Sequence, residues 1–462
     1  MTNVPRDPID QPCILPAACL QADAPRVPVA IVGAGACGLM TAIALRDAGI
    51  DCAVLERDER AAGSTALSSG FIPAAGTQAQ RDAGITDNPQ RFAQDIQAKA
   101  KGRAAAHLVT AYTEAIAPAL DRLAQRHGVA LSVLDGFLYP GHSAYRMHAT
   151  PEKTGASLIA QLERAAVDAG AMLLTQATVR ELYVDAQRRV VGLGLRRPDA
   201  SLEQLACDTL VLACNGFGGN TEMVDQLLPD MRGATFGGHV GNDGSAIVWG
   251  RQLGAQLADL TGYQGHGSWV VPQGILMTWA VMAEGGIQLN ALGKRFHDET
   301  EGYSEASVHV LRQPEQIAWN VFDTRLLALA RGFPDFQQAE AAGALRTAAD
   351  KAALARLIGC DLRALDSALD RFAAPYYAVK VTGALFHTQG GLDIDAQCRV
   401  LGPDGQPLPN LLAAGGAARG VSGDAVWGYL SGNGLLSALA GGWIAAHTAA
   451  SAPASAPAGT IS

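Results

Sequence analysis

The chain has 462 residues, 48% hydrophobic and 17% charged, with a net charge of −9. That is enough apolar material for a large core in two or three domains of roughly 150 residues, so a chain disordered as a whole is excluded. No Lys/Arg stripe marks a nucleic-acid partner, and the eight cysteines show no CxxC, CxxCH or paired spacing. They read as reduced cytoplasmic thiols, with no metal site, disulfide framework or c-type haem.

Residues 1–25, punctuated by Pro and Asp, predict a flexible arm without the basic and apolar regions of a secretory signal. Val27–Leu45 is a charge-free run of membrane-spanning length. VPVAIVGAGACGLMTAIALRDAGIDCAVLER reads better as a strand, a glycine turn, a helix and a second strand, so no membrane span is expected. A Gly/Ser/Thr loop follows at 62–77, then helical patterns at 88–127 and 151–169, and short strands at 171–196. An apolar strand at 208–220 ends in ACNGFGGN. Residues 256–374 are mixed, with several Trp and two helical stretches near 337–374. Glycines return from 376, and 449–462 is a Pro/Ala/Ser tail expected to be disordered. There are 52 glycines in 462 residues, about 11% against a usual ~7%. Their clusters lie towards both ends of the chain, without a Gly-X-Y period, and imply backbone that turns with φ > 0 or approaches a ligand closely. The pattern predicts an α/β fold: a Rossmann-like nucleotide domain from 26–255 and 375–448, with an inserted α+β capping domain at 256–374.

Gly33-Ala34-Gly35-Ala36-Cys37-Gly38 is a GxGxxG turn between an apolar strand and a helix. Gly33 suits the tight turn, Gly35 the pyrophosphate approach and Gly38 the packing of helix on strand, with the helix N-terminus facing phosphate. Glu56, 18 residues after Gly38, suits a ribose-hydroxyl acceptor. The loops that follow favour FAD over NAD, because a flavin dinucleotide is long and needs several close backbone approaches. The expected contacts are Gly33, Gly35, Ala36, Cys37, Gly38, Glu56 and Arg57 at the first turn, and Gly63, Ser64, Thr65, Ser69 and Gly70 in the next loop. Val179, Ala213 and Gly216 follow, then Gly415, Gly416, Gly432, Asn433 and Leu435 near the C-terminus.

From about residue 27 to 448 the chain resembles the flavoprotein family of fumarate reductases and 3-ketosteroid dehydrogenases. The carriers are VGAGACGLMTAIALRDAG with Glu56, GSTALSSG, LVLACNGFGGN, GNDGSAIVWGRQLGA, GKRFHDE, YYAVKVTGALFHTQGGLDID and NLLAAGGAARG…GYLSGNG. The resemblance implies a Rossmann-like FAD-binding domain and FAD-dependent chemistry on a CH–CH unit. One departure is Gly416, where the family usually carries Glu. No residue matches the loop histidine that links FAD covalently in some relatives, so non-covalent FAD is implied.

Set against that family, Tyr303 stands where fumarate reductases carry a proton-donating arginine and ketosteroid dehydrogenases a tyrosine. Tyr429 stands where fumarate reductases clamp a carboxylate with a second arginine, and Trp279 and Met282 fall near the places of their proton relay. The double exchange points to a ketone, because a dicarboxylate needs guanidinium forks whereas a ketone needs neutral donors. The implied reaction is α,β-dehydrogenation of a small, cyclic ketone or keto acid. Tyr429 and the Gly434 amide would polarise the ketone, Tyr303 as phenolate would take the α-proton, and FAD N5 would take the β-hydride. Tyr303 would then need a neighbour that depresses its pKa, with Tyr139 or Tyr145 as helper. His387 and His266 match carboxylate-holding histidines and admit an oxocyclohexanecarboxylate. The implied partners are that small molecule and a separate electron acceptor. The alternative is fumarate-reductase-like reduction of a 2-enoate, favoured if Arg146 or Lys380 enters the pocket.

Overall fold

The last four residues of strand Arg26–Val32 are buried on both faces, which is why they read as a continuous apolar run. In the computed structural model, which describes residues 11–366, 368–370 and 372–452, this strand lies inside a nine-stranded sheet. It pairs in parallel with Cys52–Leu55 on one side and with the C-terminal half of Leu202–Leu212 on the other. Met172–Leu174 and Pro407–Ala413 extend the parallel set. Their registers bring Val32, Leu55, Leu212 and Ala413 to one edge. In open α/β sheets that carboxyl edge is where ligands bind.

Helix Ala36–Asp47 follows the glycine turn, and every residue from Ala36 to Leu45 is buried. It packs against helices Asn433–Ser451 and Gly155–Asp168. The charge-free run Val27–Leu45 is therefore a buried strand and a helix buried nearly all round. Among the described residues no helix is long and apolar enough to cross a membrane.

A second, seven-stranded sheet forms the cap. Its central strand, Tyr376–Thr388, runs antiparallel to Tyr263–Val270 and Ile317–Phe322. Helices Tyr303–Leu311, Thr324–Ala330, Pro334–Ala341 and Lys351–Ile358 bury the cap's own apolar clusters. Irregular register between His266 and Trp269 re-aims the side chains at that point of the strand.

Three boundaries differ from expectation. Cys13–Pro16 pairs in parallel with Glu181–Val184, so the segment expected as an arm carries an edge strand; residues 1–10 lie outside the described residues. Residues 376–388, expected in the nucleotide domain, are the spine of the cap sheet. Gly383 there serves packing rather than a cofactor, because a Cβ on it would collide with the Ser307 carbonyl. The last helix continues to Ser451, past the expected start of the tail; 453–462 lie outside the described residues.

Candidate active site

A cavity of about 660 Å³ extends from the carboxyl edge of the parallel strands to the cap, within the usual range of ligand sites. At the strand edge, Gly33 has φ +105, and a Cβ on it would lie 2.6 Å from the Ala213 carbonyl oxygen. A Cβ on Gly38 would collide with the Gly33 carbonyl oxygen, so Gly38 is the packing glycine. Gly35 is open, with Thr65 Oγ1 as the nearest group at 3.7 Å from its added Cβ. An open glycine at a helix N-terminus fits a pyrophosphate. Glu56 is buried, and accepts hydrogen bonds from the Ala34 amide (2.8 Å) and the Asp58 amide (3.0 Å). Each oxygen keeps a lone pair for a ribose hydroxyl.

The expected cofactor loops come together here. Ala36, Cys37, Gly63, Ser64, Thr65, Ser69, Gly70, Val179, Ala213, Gly415, Gly416, Gly432 and Leu435 line the cavity with Gly33, Gly35, Glu56 and Arg57. Thr65 accepts the Ala36 amide (3.1 Å), and Ser64 accepts His239 N (3.0 Å) and Asn242 Nδ2 (2.8 Å), tying two loops over the groove. Three expected contacts are not on the wall. Gly38 is used for helix packing. Gly216 backs onto Thr388, whose hydroxyl a Cβ would strike. Asn433 is fully buried, and its Nδ2 donates to Ser422 Oγ (2.9 Å). Arg57 lines the cavity but is held by the Gly241 carbonyl (2.7 Å) and Asp243 (3.0 Å). Arg419 is paired with Asp259 and Asp393 instead of facing the cavity.

At the cap end, Tyr303 opens helix Tyr303–Leu311, after Gly302 at φ +129. Its ring meets Tyr429 edge-on, with centroids 6.1 Å apart. Tyr429 closes a 3₁₀ turn, just before Gly432 starts the last helix. The Gly434 amide lies 3.4 Å from the Tyr429 oxygen. His266 stacks on Tyr303 (centroids 4.7 Å, 21°), and Trp279 meets His266 edge-on at 5.8 Å. Trp279 thus walls the site with an indole, while Met282 is buried in the cap core.

Gln389 Nε2 lies 2.6 Å from His387 Nδ1, Ser422 Oγ donates to Gln389 Oε1 (2.8 Å), and Asn433 Nδ2 donates to Ser422. This chain makes His387 Nδ1 an acceptor and leaves its proton on Nε2. The Ser268 amide likewise donates to His266 Nδ1 (3.1 Å). Desolvation pushes His266 down to about 3 and His387 down to about 4. Both are neutral N–H donors, not the cations that a carboxylate clamp would use. Gly416 has no room for the family's Glu, because a Cβ would run into Asn215 Oδ1 and lie 2.9 Å from His387 Nε2.

The expected depression of Tyr303 is not found. Desolvation lifts it well above the usual phenol range, and Tyr429 and Tyr139 add to that; only a hydrogen bond with Ser431 works the other way. Tyr429 is pushed up to about 12 by desolvation. Tyr139 lines the cavity, whereas Tyr145 is off it and 39% exposed. Arg146 is buried against Asp87 and Asp95, and Lys380 is off the wall. Gln389 was not legible as a functional residue, although an i, i+2 spacing from His387 on an extended chain was a signal for it. Asp335, also on the wall, carried no motif at all.

Fold and site together define an FAD-dependent oxidoreductase acting on CH–CH groups. A family described as an FAD binding domain matches residues 28–435, and the chain belongs to it. The chain is 27% identical over 443 residues to the probable fumarate reductase Ifc3 of Shewanella frigidimarina (strain NCIMB 400), covering 91% of this chain and 74% of that one. It is 23% identical over 515 residues to 4-oxocyclohexanecarboxylate 2-dehydrogenase of Sinomonas cyclohexanicum, covering 84% and 87%. A flavocytochrome c3 fumarate reductase in its open conformation superposes with a TM-score of 0.79 at 26% identity, covering 93% and 79%. The 3-ketosteroid-Δ4-(5α)-dehydrogenase of Rhodococcus jostii RHA1 shares the fold with a TM-score of 0.74 at 23% identity, covering 94% and 99%.

Proposed function

We propose that this enzyme interconverts a small, cyclic ketone and its α,β-unsaturated enone, using non-covalently held FAD and a separate electron acceptor. One observation carries the reading. Tyr429 and Gly434 lie side by side next to Tyr303, with the Gly434 N–H donating to the Tyr429 oxygen at 3.4 Å, and among the described residues the Lys and Arg side chains on the cavity wall are Arg57 and Lys153 alone.

A ketone oxygen that replaces the Tyr429 oxygen as acceptor of the Gly434 N–H, and also accepts the Tyr429 O–H, has two donors that stabilise enolate charge as it develops. Tyr303 moves the proton at the neighbouring α-carbon. The N-terminus of the helix beginning at Ala36 would hold the pyrophosphate, and Glu56 would accept a ribose hydroxyl. Bound FAD supplies the hydride exchange at the β-carbon. Trp279, Phe386 and the aromatic face of His266 exclude water from the reacting carbons.

Because Tyr303 rests protonated, it is ready to donate a proton, so enone reduction needs no prior ionisation. Desaturation needs the proton to leave Tyr303 first. The eight cysteines are free thiols, which supports a reducing compartment, and we place the enzyme in the cytoplasm. The named activity of the Shewanella relative supports a second reading, reduction of a 2-enoate.

The test is anaerobic mixing of yellow holoenzyme with cyclohexanone-type ketones, a keto acid and succinate. Flavin bleaching by ketones but not by succinate is expected. Bleaching by succinate alone, with fumarate reoxidising the reduced enzyme, would sink the ketone reading. Acid precipitation should release all the yellow colour into solution.

A further inference from the structure

Asp335 stands second in the cap helix Pro334–Ala341 and lines the same cavity as Tyr303 and Tyr429. One of its oxygens accepts the Phe336 amide at 2.7 Å. Among the described residues it forms no ion pair, and the nearby Arg331 is spent on Glu340. The helix packs on Ile275–Leu276, the same cavity wall carries Trp269, Phe333 and Phe386, and the Tyr139 hydroxyl on that wall is close enough to feel the Asp335 charge. Desolvation raises the carboxyl to about 6. Among the described residues the cavity wall carries two Lys or Arg side chains: Arg57, engaged with Asp243, and Lys153, in the turn packed on Ser68.

We infer that Asp335, with Gln338 beside it, forms a cap-side specificity subsite for an uncharged substrate arm bearing an O–H or N–H donor. A half-buried carboxylate on a partly apolar wall, with no ion pair among the described residues, gains from a ligand donor that meets it. A ligand hydroxyl or neutral amine supplies that donor, whereas a ligand carboxylate meets like charge and, among the described residues, no counter-ion. The subsite therefore selects hydroxylated ketones over keto acids. This rests on the ketone reading, since it is the ketone held at Tyr429 and Gly434 that turns the far end of the molecule towards the cap.

The test compares 4-(hydroxymethyl)cyclohexanone, 4-methylcyclohexanone and 4-oxocyclohexanecarboxylate on holoenzyme at pH 8, as kcat/KM and as Kd from tryptophan fluorescence. Wild-type enzyme should prefer the hydroxymethyl ketone to the keto acid by at least tenfold. Asp335→Asn should shrink that gap about tenfold and leave the methyl compound unchanged. Gln338→Leu should weaken the hydroxymethyl compound alone. A wild-type enzyme that takes the keto acid as well as the hydroxymethyl ketone overturns the subsite. So does an Asp335→Asn enzyme in which all three ligands change equally. If none of the ketones bleaches the flavin, the ketone reading falls, and the order of the Kd values still decides the subsite.

Discussion

Gln389 Nε2 sits 2.6 Å from His387 Nδ1, at the end of a hydrogen-bonded chain that begins at Asn433, the residue next to the Gly434 amide. The chain settles which nitrogen of His387 carries the proton, and so which face it offers to a ligand. Gln389→Glu replaces the amide donor by an acceptor, which draws the proton to Nδ1 and favours the imidazolium. His387 should then titrate well above 4, and kcat/KM should fall about tenfold, on the scale of one net hydrogen bond, with a new pH dependence. Histidine ¹⁵N spectra report the tautomer directly; a wild-type spectrum with the proton on Nδ1 contradicts this arrangement.

Tyr303→Phe removes the proton carrier without touching the strand edge. Loss of about 10²–10⁴ in turnover is expected, the usual range for a general acid or base, with the yellow colour retained. In wild-type enzyme the raised Tyr303 sets the sign of the pH profile. The phenol is protonated through neutrality, so ketone desaturation should rise with pH up to the stability limit. Enone reduction should stay flat and then fall as the proton is lost. Stopped-flow flavin reduction and reoxidation measure the two directions separately.

Tyr429→Phe leaves the Gly434 amide as one of the two donors to the ketone oxygen. A loss of roughly 10²–10³ in kcat is expected, as for one oxyanion donor. Little change in kcat would remove Tyr429 from the chemistry.

His266 is neutral in the fold, at about 3 against 6.5 unfolded. The unfolded chain therefore binds more protons below pH 6.5, and stability drains away as the pH falls from there towards 3. Its share is up to about 1.4 kcal/mol per pH unit. Denaturant midpoints at pH 7 and pH 5 should fall further apart in wild type than in His266→Asn.

Gly33→Ala places a Cβ 2.6 Å from the Ala213 carbonyl at a φ of +105. A backbone cost of about 1–3 kcal/mol and a distorted turn should yield colourless protein. Full flavin content measured at 450 nm would show that the turn tolerates a side chain.

Much of this was legible in the chain itself. GAGACG with Glu56 declares a nucleotide turn because each glycine answers a local steric demand, and local demands leave a mark on sequence. The aromatic pair Tyr303 and Tyr429 was visible through spacing against a family pattern. Other features were not. Gly216, Asn433 and Gly383 sit in stretches that look alike in one dimension, and only their packing partners, Thr388, Ser422 and Ser307, separate a cofactor contact from a wedge between elements.

The first nucleotide turn, GAGACG with Glu56, was thus legible in the sequence alone, and the tyrosines at 303 and 429 stood out only against the family pattern the chain resembles. Tertiary structure decided the electrostatics. The same enclosure that brings Tyr303, His266 and His387 together desolvates them, lifting the phenol and lowering the imidazoles. It also leaves Asp335 on the cavity wall with no ion pair among the described residues. Such shifts depend on which groups exclude water around a side chain, and that is a property of the folded neighbourhood rather than of the residue or its neighbours in the chain.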